Sequence, residues 1–125
     1  MSNVLKFPQS SLNDSFNGIL KAYRESVKKI DARENVVILN LNEANVFNIT
    51  FDHLPESDLA YSCVLVCKQD SIGNRKVVFP ENVFWSFNEV AVLATKPGHA
   101  DVITLMTVDG GETYYASHAL ANLGK

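Results

Sequence analysis

Cysteine is scarce: there are two, Cys63 and Cys67, in a chain of 125 residues. They lie four apart in a strand-like run from Ala60 to Lys68. About 13 Å of extended chain separates them, well beyond the ~7 Å that a disulfide spans. Both fall on one face of that strand and read as buried thiols. Neither disulfides nor a metal is needed for folding, because a domain of this length buries roughly two-thirds of its unfolded surface. Long apolar runs are missing too. No window approaches the ~18 apolar residues of a membrane-spanning helix, so no membrane is expected as a partner. The opening Met-Ser-Asn-Val-Leu-Lys-Phe-Pro lacks the apolar core of a secretion signal. The expectation is a chain made in a cytoplasm and kept there until an assembly carries it out. An excess of positive charge is absent as well: 11 Lys and Arg stand against 14 Asp and Glu, a formal net charge of −3. The most basic stretches, Lys21 to Lys29 and Arg75-Lys76, are too dilute to track phosphates, which argues against nucleic acid.

What is present is an ordinary globular composition, 46% hydrophobic and 20% charged, sized for one domain. Residues 1–9 read as an arm. Residues 10–31 carry a helical period, with Leu12, Phe16, Ile19, Leu20, Tyr23, Val27 and Ile30 spaced to form one stripe. Ser11 with Asp14 makes a weak capping box, and Gly18 inside costs about 1 kcal/mol relative to Ala. The stripe is expected either to pack on a sheet or to form a short bundle at an oligomer axis.

From residue 35 onward the period changes to two. Expected strands are Asn35 to Leu41, Val46 to Phe51, Ala60 to Lys68, Arg75 to Phe79, Asn82 to Phe87, a short Ala91 to Ala94, Asp101 to Val108 and Glu112 to Ser117. Between them lie turn signals: Leu54-Pro55-Glu56-Ser57-Asp58, Gln69 to Asn74 with Gly73, Lys96-Pro97-Gly98-His99, and Asp109-Gly110-Gly111, the strongest hairpin signal. This pattern implies a mainly β fold. Residues 35–118 would form an antiparallel β-sandwich or jelly-roll-like domain behind one N-terminal α-helix, with 119–125 as a weakly patterned tail. The Cys63 and Ile103 segments are apolar on both faces, which calls for a second buried surface, supplied by the helix or by another subunit.

Residues suited to catalysis are sparse. Of His53, His99 and His118, His99 comes closest to a ligand or acid/base pair, in His99-Ala-Asp101, but the turn before it reads as an exposed loop. No spacing fits a zinc site and no nucleophile motif is present. Asp70 with Asn74, or Asp109 with its glycines, offers loop oxygens to Ca²⁺, but both fit a turn role better. No cofactor and no enzymatic activity is expected. The aromatic set Phe84, Trp85 and Phe87 is the richer candidate, as a sugar-stacking or protein-binding platform. Three aromatics in four residues cannot all enter one core, and Trp85 is the one expected to do so.

From about Asn35 to the end, short motifs occur in a characteristic order. Asn45-Val-Phe-Asn-Ile-Thr-Phe51 is followed by Leu54-Pro55. A strand ending in Gln69-Asp70 leads to Gly73 and a basic residue. Val77-Val-Phe-Pro80 precedes Val83 and Trp85, and Asp101-Val-Ile-Thr-Leu precedes Asp109-Gly-Gly and Tyr114-Tyr115. This order resembles a module near the ends of bacteriophage tail-fibre and appendage proteins. It departs from that module where Ser86-Phe-Asn-Glu89 replaces a Gly- and Pro-rich stretch. The resemblance implies a virion structural protein and a homotrimer, with capsid or tail subunits as partners. The chain would act as a head decoration or cement protein or as a short fibre-like appendage. Host attachment through a surface glycan, or a stand-alone carbohydrate-binding sandwich, are the competing expectations.

Overall fold

The computed structural model describes residues 23–124. Eight strands run in the order β1 Glu25–Asp31, β2 Val36–Leu41, β3 Val46–Asp52, β4 Tyr61–Gln69, β5 Lys76–Val78, β6 Val83–Trp85, β7 Ala100–Thr107 and β8 Tyr114–Leu123. They form a three-stranded sheet, ordered β1-β3-β5, and a five-stranded sheet, ordered β2-β4-β7-β8-β6. The mainly β reading of the sequence therefore holds. Alternation along each strand sends every second side chain inward. Ile30, Phe47 and Ile49 from the small sheet meet Leu39, Leu41, Cys63, Leu65, Ile103 and Leu105 from the large one in a single core.

The pairing departs from the antiparallel, jelly-roll-like arrangement. Only β4–β7 and β7–β8 are antiparallel; β1–β3, β2–β4, β3–β5 and β6–β8 are parallel. The reason lies in the connections. The first five strands alternate between the sheets, so each returns to its own sheet running in the direction of the strand it joins. Parallel neighbours need a connection of roughly a dozen residues, and a strand of the opposite sheet supplies it. Composition and turn signals cannot distinguish this winding from a meander.

The expected helix over 10–31 is corrected over its last third, because Glu25–Asp31 is a strand paired with β3. Leu12, Phe16 and Ile19 lie outside the described residues. The three described members of the stripe do not share a face. Ile30 is 1% exposed in the core, whereas Val27 is 61% and Tyr23 60% exposed. Lys28, between Val27 and Ile30 on the same strand, lays its ammonium 5.3 Å from the centre of the Phe47 ring. A free edge on β3, with donors and acceptors to satisfy, overrides the local helical period.

Strand pairing also exceeds 35–118 at the other end. The tail expected over 119–125 is the continuation of β8 to Leu123. The β7–β8 ladder is irregular between Ala100 and Ile103, and there the buried Asp101 carboxylate accepts a hydrogen bond from the Asn122 amide at 3.1 Å. That bond holds a weakly patterned segment in the sheet. Conversely, residues 91–94 form no strand. They are tied down by the Ala94 amide donating to Asp101 and by Gln69 donating to the Ala94 carbonyl, each at 2.8 Å.

The joints coincide with the ordered motifs. The Gln69 side chain is buried and bonds both the amide and the carbonyl of Arg75, tying the end of β4 to the residue before β5. Asp70 accepts from the amides of Ile72 and Gly73 and from the guanidinium of Arg75 at 2.8 Å. Those bonds hold its carboxyl well below the usual range, at about 2. Gly73 has φ +77°, and a Cβ there would lie 2.6 Å from the Thr95 carbonyl oxygen, so only glycine fits. In the β7–β8 hairpin, Asp109 accepts from the Thr107 hydroxyl and the Thr113 amide, both at 2.9 Å.

Candidate functional site

The polar groups singled out in the sequence serve the framework. His99 does not pair with Asp101; its Nδ1 meets the Asn122 side-chain oxygen at 2.7 Å. The imidazole partner of Asp101 is His118 of β8, with Nε2 at 2.8 Å from the carboxylate. This pair was not foreseen, since it joins residues 17 apart across a hairpin with an irregular register. Asp101 is 1% exposed, and with the amides of Ala94 and Asn122 it has three partners. A buried carboxylate so satisfied is a structural clamp. The carboxylates of Asp70 and Asp109 are engaged in their own turns, as the turn reading requires. Among the described residues, no group of three or more His, Cys, Asp or Glu side chains is placed to hold a metal. Cys63 and Cys67 are buried free thiols on the core face of β4, and burial pushes Cys67 up to about 12. Such thiols are poor nucleophiles.

The three candidate aromatics are dispersed. Trp85 packs edge-on against Phe79, ring centres 5.0 Å apart, beside the core. Phe84 points outward and stacks on Tyr115 at 6.1 Å. Phe87 stands 94% exposed, with φ +58° in the 3-10 turn that follows β6. A bulky residue in the left-handed region is a strained placement. Val90 and Val92, just beyond it, are exposed as well. No single platform contains all three rings.

What the fold does assemble is a broad apolar surface on the outside of the five-stranded sheet. The registers align outward side chains into rows across the strands. One row is Phe84, Tyr115, Met106 and Ser62. The next is Ser117, Thr104, Val64 and Val36, and the third is Leu120, Val102, Val66 and Ile38. None of these residues is charged, and a Lys enters only in the fourth row, with Leu123, Ala100, Lys68 and Asn40. A shallow hollow of about 610 Å³ lies over the first two rows, floored by Val64, Thr104 and Met106 and edged by Val36 and Tyr115. Thr104 and Ser117 satisfy each other at 2.6 Å, so these two polar members ask little of water. The sequence signalled this surface only as strands apolar on both faces; assembling it needs the order β2-β4-β7-β8-β6.

Compared with protein-family models, with curated proteins and with solved structures, the chain matches none. No helix among the described residues is long and apolar enough to cross a membrane.

Proposed function

We propose that this chain is a non-enzymatic structural protein of a bacteriophage particle. On this reading it is a β-sandwich that sits on the particle surface as an oligomer, as a decoration or cement protein or a short appendage. The observation that carries the reading is the uncharged outer face of the five-stranded sheet, which is a surface for holding proteins together. The phage assignment leans on the ordered motifs resembling those of appendage modules. Gln69, Asp70, Gly73, Asp101 and Asp109 are the joints that set strand positions here, so their order and spacing carry fold information. Homotrimer is the state the resemblance suggests, and residues 1–9 are the proposed mounting element.

The test is incorporation. In gradient-purified particles from a producing host, the chain is expected at a fixed copy number and accessible to antibody from outside. A chain left wholly in the soluble fraction overturns the assignment. Deleting residues 1–9 is expected to abolish re-addition to particles that lack the chain; undiminished re-addition removes the mounting role.

A second reading, host attachment through a surface glycan or protein, is favoured by Phe87. Exposed aromatics in a defined geometry are typical contact anchors. Under this reading Phe87→Ala lowers host adsorption severalfold while incorporation into particles is unchanged. Unchanged adsorption rejects it.

A further inference from the structure

We infer that the outer face of the five-stranded sheet is a self-association surface, covered by the same face of a second copy of this chain. The inference rests on the oligomeric part of the proposed function but takes the state to be a two-fold dimer in place of the trimer the resemblance suggests, because a face covered by the same face of a second copy closes after two copies. It is independent of the particle that carries it.

The first argument is area. Phe84, Tyr115, Met106, Leu120, Val36 and Ile38 are each between 40% and 66% exposed while lying in one continuous block. At those fractions their exposed surface is on the order of 600–700 Å², close to the ~800 Å² that each partner contributes to a standard protein interface. Half-buried Val64, Val66 and Val102 fill the middle of the block. An apolar patch of this size is at or above the largest that monomers ordinarily leave in water.

The second argument is charge. In self-docking, groups near the two-fold axis meet themselves and every other charge must find an opposite partner on the same face, so charges on the face carry a cost unless they are so arranged. The three uncharged rows avoid that cost, even in a chain of net charge −3. The third argument is side-chain type. Paired valines and a threonine make a stiff, flat surface, since β-branched side chains have little rotamer freedom to lose on contact. The small sheet offers no such alternative, because its outer face carries Glu25, Lys29, Asp31, Asp52 and Lys76.

The test uses the full-length chain in sedimentation velocity and equilibrium. The wild type is expected to be an oligomer at about 10 μM. Ile38→Glu and Met106→Glu place a charge at positions already exposed in the single chain, and each is expected to raise the dissociation constant at least 100-fold. Val27→Glu, equally exposed on the other sheet, is expected to change it less than threefold. Circular dichroism of each variant checks that the β fold persists. A wild type that is monomeric at 100 μM overturns the inference, whether the face is bare or covered by the chain's own residues 1–22. An oligomer that Ile38→Glu and Met106→Glu leave intact overturns the choice of face but not the oligomeric reading. Weakening by Val27→Glu as large as by the other two also overturns it.

Discussion

The two sheets share one core but turn very different faces outward. The small sheet shows solvent the mixture that an exposed surface needs: Glu25, Lys29 and Lys76 are exposed, and Asp31 lies opposite Asp52. Arg33 answers the Asp31–Asp52 pair, its guanidinium 2.7 Å from Asp31 and holding that carboxyl far below the usual range. The large sheet has twelve successive outward positions in three rows without a charge. Both sheets obey the same alternation, so the difference cannot come from secondary structure. It lies in which residue types occupy the outward half of each strand. The lesson is that an apolar inward half builds the core, whereas an apolar outward half marks a surface meant to be covered.

That contrast can be broken or sharpened by substitution. The largest effect is expected inside, at Leu65, which is fully buried between Val64 and Val66 of β4. Leu65→Ala should cost about 3–4 kcal/mol in urea unfolding, as a cavity in a packed core does. Val64→Ala, one residue away on the outer face, should cost the single chain about 1 kcal/mol or less. A further loss that grows with protein concentration would report the covered face. Equal losses at both positions at all concentrations would erase the inside-outside distinction.

Next comes the tie between the sheets. Gln69→Leu leaves the Arg75 amide, the Arg75 carbonyl and the Ala94 carbonyl without their side-chain partner. Buried orphan groups of this kind cost about 1–3 kcal/mol each, so a loss of about 2–3 kcal/mol is expected after partial rescue by water. A loss below about 0.5 kcal/mol would mean that the joint is not what sets β5 against β4. Smaller still is Val27→Glu on the small sheet, within about 0.5 kcal/mol by the same measurement, as for most exposed positions.

The last prediction concerns acid. Among the described residues, the carboxyls held below their ordinary range are Asp31, Asp70 and Asp109, and none belongs to the uncharged rows. Asp70 titrates at about 2 in the fold against an ordinary carboxyl near 3.9. Its contribution is therefore complete above about pH 4 and is lost as pH falls towards 2, since the folded state holds the proton less tightly. Melting temperature measured against pH should fall across that window, and Asp70→Asn should make the fall shallower. An unchanged slope would exclude Asp70 from the acid response.

Much of this was legible in the chain. The strands of β2, β3, β4 and β7, the Asp109-Gly110-Gly111 hairpin, the glycine turn at Gly73 and the two buried thiols follow from period, turn chemistry and reach. Glu25–Asp31 was misread because Val27 and Ile30, three apart, satisfy a helical stripe as well as opposite sides of a strand. Only pairing with β3 decides between them. The site was visible in outline only. Phe84, Trp85 and Phe87 stood out as a cluster, yet one is packed beside the core, one stacks on the outer face and one stands alone.

By itself the sequence determined a mainly β chain and the turns that punctuate it, because these depend on neighbours a few residues away. The tertiary structure alone decided that successive strands cross between two sheets and run parallel to their mates, that Asp101 finds His118, and that apolar residues from five separate strands become one surface. Each of these is a meeting of residues distant along the chain. Such meetings are fixed by strand order and register, which local periodicity does not encode.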